Sequence, residues 1–241
     1  MTQSTTTHCA PTRPGILVGL KAEAQLIRGV FPHAAIAASG ATSAGAQREA
    51  NRLAACGADC LLSFGLAAGL DPTLPPGTIV IPSAVQAWGK VWPCDPTLRH
   101  ILGEEHAGVI SGSLLHSDQV VLQAQHKAEL FASTQCASLD MESGFLARVA
   151  HEADLPFAVL RVICDPATRS LPPVTACVLS PDGGLQIGLL LRSLLRHPSQ
   201  ITGLISLGRD AGLARKAMLR FLHGQAIRPS FQQLAAHTTQ N

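Results

Sequence analysis

Short apolar runs alternating with longer helical stretches constrain this chain more than any other feature. Gly15 to Leu20, Ala34 to Ser39, Cys60 to Phe64, Thr78 to Pro82, Gly108 to Leu115 and Pro156 to Cys164 read as strands. Helices are expected over Lys21 to Gly29, Ala46 to Cys56 (ended by Gly57), Gln123 to Ser133 and 142–153, then roughly 184–197 and 199–223. Such alternation predicts one α/β domain with a mostly parallel core sheet. Residues 84–107 are mixed, with Pro93 and Pro96 read as loop, and 166–182 as a long Pro-rich loop. The domain is expected over 14–225, between a loose tail at 1–13 and another at 226–241.

Composition narrows the class. The chain has 241 residues, 46% apolar and only 14% charged, which suits a sizeable core. It has no Tyr, so that core is built mainly of Leu, Val, Ile and Ala. A net charge of +2 gives no global case for nucleic-acid binding. The seven cysteines show no CxxC spacing, and no zinc site is read from them. The Thr-rich start lacks the apolar segment of a signal peptide, and no apolar run has membrane-spanning length. The expectation is a cytoplasmic protein. Arg209, Arg215, Lys216 and Arg220, interleaved with Leu213, Met218, Leu219, Phe221 and Leu222, leave open a peripheral contact with the inner face of a membrane. A helix packed on the core with its charges in water explains the same pattern.

Two carboxylates draw attention. Glu142 follows Leu139-Asp140-Met141, and Asp165 follows Val159-Leu160-Arg161-Val162-Ile163-Cys164. Each is expected just beyond the end of an apolar run, on neighbouring strands, where open α/β sheets bind ligands. Each also has an ordinary reading. An acid in a first helical turn is favoured by the helix dipole, and Asp before Pro166 suits a turn. Together they could stabilise a cationic sugar and protonate a departing base, the chemistry of N-glycosidic cleavage.

At these residues the chain resembles the nucleoside phosphorylase and nucleosidase family. Met141-Glu142-Ser143 resembles that family's helix-start step, and Cys164-Asp165 its strand ending in Ser-Asp. Gly19-Leu20-Lys21-Ala22-Glu23 resembles its first loop, and Phe64 to Leu70 its Gly/Ala-rich strand end. Pro76 to Pro82 and His116-Ser117-Asp118 match in order. The resemblance implies a three-layer sandwich, with a mostly parallel mixed sheet flanked by helices. It implies Glu142 on the ribose, Asp165 as proton donor to the purine, and Met141 beneath the sugar. Gly65, Leu66, Ala67, Val120 and Cys164 would complete the substrate site.

The chain looks most like the hopanoid-associated phosphorylases, which act on adenosylhopane. That implies an adenine nucleoside with an apolar 5′ group, no cofactor or metal, inorganic phosphate as co-substrate, and a homo-oligomer, most simply a dimer. A nucleosidase of the methylthioadenosine or adenosylhomocysteine type, or an inactive nucleoside-binding protein of the same fold, are the alternatives.

Departures concern the nucleophile. The family's water-activating Glu falls on Ala24, with Glu23 one residue earlier. The phosphate-binding Arg and Ser of hexameric phosphorylases fall on Ser63 and Leu66. Phosphate or water is instead expected near Gly19, Glu23, Gly40, Thr42 and Arg48. Cys164 in place of Ser is expected to orient Asp165 less firmly, and Val120 replaces an aromatic near the base.

Overall fold

The computed structural model describes residues 13–172 and 200–224, the side chains of 200–204 excepted. Its strands are β1 (Pro14–Val18), β2 (Ala35–Ala38), β3 (Cys60–Gly69), β4 (Ile79–Val80), β5 (Ala84–Ala87), β6 (Lys90–Pro93), β7 (Val109–Ile110), β8 (Leu114–His116), β9 (Ser138–Asp140) and β10 (Phe157–Asp165). Its helices are α1 (Lys21–Val30), α2 (Ser43–Ala55), α3 (Pro96–Leu102), α4 (Ala124–Thr134), α5 (Ser143–Glu152) and α6 (Gln200–His223). The expected helix over 184–197 and the expected tails lie outside the described residues, apart from Arg13. The amide of Arg13 donates to the Asp59 carboxylate.

All ten described strands join one sheet, in the order β6-β5-β8-β9-β3-β10-β4-β7, with β1 added beside β3 and β2 beside β1. It is mixed and mostly parallel: β3 runs parallel to β1 and β10 but antiparallel to β9. Side chains alternate across it with the period of two that strands impose. Ile16, Val18, Leu62, Phe64, Leu160 and Val162 pack against α1, α3 and α6 through Leu26, Ile27, Leu98, Met218 and Phe221. Leu17, Leu61 and Val159 face the other way, onto Ala46, Ala50 and Leu53 of α2 and Leu146 and Val149 of α5. Helices therefore cover both faces of the sheet, as the three-layer reading requires.

Several local expectations are corrected. Pro96 opens a helix: Asp95 accepts the Leu98 amide at 2.8 Å, Pro occupies the first turn, and Gly103 ends the helix at φ 89°. Before it, β5 and β6 form a hairpin whose turn, Trp88-Gly89, has φ of 48° and 72°. Both turn residues lie in the left-handed region, which matches the twist of the flanking strands. The single strand expected over Gly108 to Leu115 is two short ones, β7 on β4 and β8 between β5 and β9. Strand β3 continues through the Gly/Ala stretch to Gly69.

Glu142 and Asp165 are not on neighbouring strands. Strand β10 occupies one edge of β3 along its length, from Leu61 to Ala68. The opposite edge is shared. Strand β1 pairs with residues 60–64, and β9 pairs in the reverse sense with Ala68 and Gly69. The carboxyl ends of β1 and β9 thus approach one another head-on along β3, leaving Gly65–Ala67 between them. Among the described residues no helix is long and apolar enough to cross a membrane.

Candidate active site

The gap between β1 and β9 gathers charge. Glu23, in the first turn of α1, receives the Leu20 amide on Oε2 at 2.8 Å and the Leu66 amide on Oε1 at 3.0 Å. It thereby satisfies both the helix start and the strand amide that neither β1 nor β9 reaches. Ala24 packs against the apolar core instead. The structure therefore sets Glu23, not Ala24, beside Glu142. A Cβ on Gly19 would lie 3.1 Å from Glu142 Oε1 and 3.2 Å from Glu23 Oε2, so glycine lets the two carboxylates crowd the end of β1.

Beneath them lies Arg161, fully buried in mid-β10 on the face shared with Ser63. Its Nε and Nη2 donate to Asp140 Oδ2 at 2.6 and 2.5 Å, and Nη2 also reaches Ser63 Oγ at 2.6 Å and Ser143 Oγ at 3.2 Å. Glu142 Oε2 stands 3.6 Å from the same Nη2. Asp140 accepts in addition from the Ser143 amide and hydroxyl. His116 backs it, with Nδ1 3.9 Å from Asp140 Oδ1 and Nε2 3.4 Å from Asp118 Oδ1.

Three carboxylates facing one guanidinium cannot all ionise cheaply. Burial opposes the charge of Asp140, but Arg161, His116 and Ser143 outweigh it and hold this carboxyl well below its ordinary value. Glu142 goes the other way. Burial, then repulsion from Asp140, push it up to about 8 against the attraction of Arg161, and Glu23 adds to the repulsion. Burial also raises Glu23, opposed by the Leu20 amide and by Arg161.

Across β3, Asp165 ends β10. Its Oδ2 accepts from the buried Lys127 Nζ at 2.5 Å, while its own Oδ1 is buried without a hydrogen-bond partner. Burial raises its pKa, and Lys127 opposes the rise. Both carboxylates line one cavity of about 200 Å³, with Leu66, Ala67 and Ala68 of β3 between them and Val120, Met141, Cys164, Leu171 and Leu207 around. A larger hollow of about 430 Å³ beside Trp92 and His151 contains neither acid.

Of the residues expected at the site, Glu142, Asp165, Met141, Leu66, Ala67, Val120 and Cys164 line this cavity. Gly65 does not; its bare Cα lets Arg161 and Glu23 close in, a Cβ there meeting Arg161 Nη1 at 3.0 Å and Glu23 Oε1 at 3.1 Å. The Cys164 thiol donates to the Ala67 carbonyl at 3.6 Å rather than to Asp165, and burial pushes it up to about 12.

Around Gly19, Ser39 Oγ and the Ala41 amide both donate to the Gly19 carbonyl. Gly40, at φ 75°, makes that turn. Thr42 is committed to capping α2, its Oγ1 accepting the Gly45 amide at 3.1 Å. Arg48, six positions on, is exposed and paired with Glu49 at 2.9 Å, so the structure does not bring it to Gly19.

The sequence reading missed Asp140, Arg161, Ser143 and Lys127. A lone Arg inside the apolar run of β10 was a usable signal, because a buried charge needs partners. Lys127 gave none, since one lysine on a mostly exposed helix looks solvated. Among the described residues no group of three His, Cys, Asp or Glu could hold a metal ion.

The model of the phosphorylase superfamily matches residues 24–175. No curated protein matches the chain. Solved structures do. A 5′-methylthioadenosine/S-adenosylhomocysteine nucleosidase from Neisseria meningitidis, in complex with methylthio-immucillin-A, is 17% identical, with 88% of this chain and 97% of that one covered at a TM-score of 0.63. An S-adenosylhomocysteine nucleosidase from Streptococcus pyogenes gives 15%, 89%, 98% and 0.62. A futalosine hydrolase mutant from Helicobacter pylori gives 17%, 63%, 89% and 0.56. At these identities the likeness is one of fold. With the family match spanning more than half of its length, the chain belongs to the phosphorylase superfamily.

Proposed function

We propose that this protein cleaves the N-glycosidic bond of a purine nucleoside in the cavity between Glu142 and Asp165. One observation carries the reading: two buried carboxylates on opposite edges of β3 face a single cavity whose other walls are largely apolar. As the bond breaks, positive charge develops on the ribose. Hydrogen bonds from ribose hydroxyls favour the ionised form of Glu142, whose charge then opposes that of the sugar cation. Asp165 Oδ1 faces the base and hands it a proton, a role suited to a carboxyl raised by burial. Leu66, Val120 and Leu171 offer the base apolar walls without ring stacking.

The acceptor is water. Glu23 and Glu142 both crowd Gly19, and once ribose hydroxyls favour the ionised form of Glu142 a phosphate dianion there would meet its charge. A raised, partly buried Glu23 suits a general base for water. Phosphorolysis, the other reading, rests on the backbone of the Ser39–Thr42 turn that adjoins Gly19. The apolar cavity wall and the family resemblance favour an adenine nucleoside with an apolar 5′ group, adenosylhopane in particular. Methylthioadenosine and adenosylhomocysteine are the nearest competitors. A cytoplasmic homodimer, touching the inner membrane face through its basic C-terminal helix, accompanies this reading.

The test is release of free adenine from each of the three nucleosides, with and without phosphate. Release from adenosylhopane in phosphate-free buffer is expected. Strict phosphate dependence would overturn the choice of water. No free base from any purine nucleoside would leave only a nucleoside-binding protein.

A further inference from the structure

Helix α4 presents most of its side chains to solvent, yet Lys127 on it is fully buried. All three of its N–H donors have acceptors: Asp165 Oδ2 at 2.5 Å, the Arg169 carbonyl at 3.0 Å and the Pro166 carbonyl at 3.2 Å. A buried ammonium is tolerated only when so paired. The lysine takes one oxygen of Asp165 and leaves the other, Oδ1, buried and without a partner. Asp165 lines the cavity and Lys127 does not. Two further bonds clamp the loop after β10 to the start of α4: Leu171 N to the Leu122 carbonyl at 2.7 Å, and Ala124 N to Ser170 Oγ at 3.1 Å. Leu171 is itself part of the cavity wall.

We propose that Lys127 is the positioning residue of the proton donor: it holds Asp165 by Oδ2, turns Oδ1 to the base, and stabilises the carboxylate left when the proton departs. This rests on the function proposed above. In the reacting form Asp165 carries its proton on Oδ1 and Lys127 is an ammonium. The electron pair of the breaking C–N bond goes to the purine, the Oδ1 proton moves to a purine ring nitrogen, and Asp165 becomes an anion beside an unchanged ammonium. Other charged or titratable groups near Asp165 are Arg169 of the following loop, Asp210 of α6, and the adjacent Cys164 thiol. Arg169 and Asp210 are paired with each other at 2.5 Å. Among the described residues Lys127 is thus the cation in direct contact with the donor.

The experiment is the pH profile of adenine release for wild type, Lys127→Met, Lys127→Arg, Asp165→Asn and the double variant Lys127→Met/Asp165→Asn. Without the ammonium, Asp165 keeps its proton to higher pH. The descending alkaline limb of kcat in Lys127→Met, read with nucleoside bound so that Glu142 is already ionised, should therefore move up by about one pH unit or more. Its kcat should fall by roughly tenfold to a hundredfold while KM changes little, since the group acts in proton transfer rather than in binding. Lys127→Arg keeps the charge and should keep the limb where the wild type has it. In the Asp165→Asn background, Lys127→Met should cost nothing further. An unmoved limb in Lys127→Met, a displaced limb in Lys127→Arg, or an equal loss in the Asp165→Asn background would each overturn the inference while leaving the proposed function intact. Absence of base release by the wild type would overturn both.

Discussion

Glu142→Gln tests the electrostatics of the site without relying on catalysis. Glu142 is buried, and its carboxyl rises from an ordinary value of 4.5 to about 8 in the fold. The ionised form is therefore worse accommodated in the folded protein than in the unfolded chain. For such a group, stability is full below the unfolded value and is lost as pH rises towards the folded one. Between pH 6 and pH 9 that loss is roughly 2–3 kcal/mol for this single carboxyl. Glutamine has nearly the same shape and does not titrate, so the variant escapes the loss. Urea unfolding at pH 6, 7.5 and 9 should show the stability of the variant gaining on wild type by that amount as pH rises. Contributions from groups not coupled to Glu142 cancel in the difference. A difference that stays flat, or shrinks, across this range would refute the claim that Glu142 holds a proton in the empty fold. The same substitution should slow adenine release by about a hundredfold or more, because the sugar cation loses its counter-charge.

Glu23→Gln should lower hydrolytic kcat by about a hundredfold or more while nucleoside affinity, read by calorimetry, changes little. Asp140→Asn leaves the fully buried Arg161 short of its main partner, so thermal or urea unfolding should show a loss of about 3–5 kcal/mol. Gly45→Ala would put a methyl 1.8 Å from the Ser39 carbonyl oxygen, at the turn that holds Gly19. It should destabilise the fold by about 1–3 kcal/mol and reduce adenine release with it.

The alternation of apolar runs and helical stretches was enough to name the fold class, because strand and helix periods are local properties of the chain. Boundaries failed where neighbours decide them. Pro96 looked like loop, and only Asp95 as a cap with Leu98 packed in the core makes it a helix start. One strand was expected over Gly108 to Leu115, but β7 and β8 take different partners in the sheet. Glu142 and Asp165 were legible because they follow apolar runs, at strand ends where α/β sheets bind ligands, whereas Met141, Leu66, Ala67, Val120 and Cys164 were reached only through the family resemblance. Arg48 was misplaced because sequence distance says little about which way a helical side chain points. It turned outward to Glu49.

The sequence alone determined the α/β class and pointed to the two carboxylates Glu142 and Asp165, since each depends on residue type and local pattern, while the lining between them came through the family resemblance. The tertiary structure decided that the two acids lie across β3 from one another, and that Glu23 rather than Ala24 joins Glu142. It also decided that Arg161 sits under three carboxylates and that Lys127 grips Asp165. Those outcomes follow from strand order and register, which bring together side chains as far apart in sequence as Ser63 and Arg161. No local pattern encodes how β1 and β9 meet end to end along one edge of β3, and that meeting is what sets the charges of the site against each other.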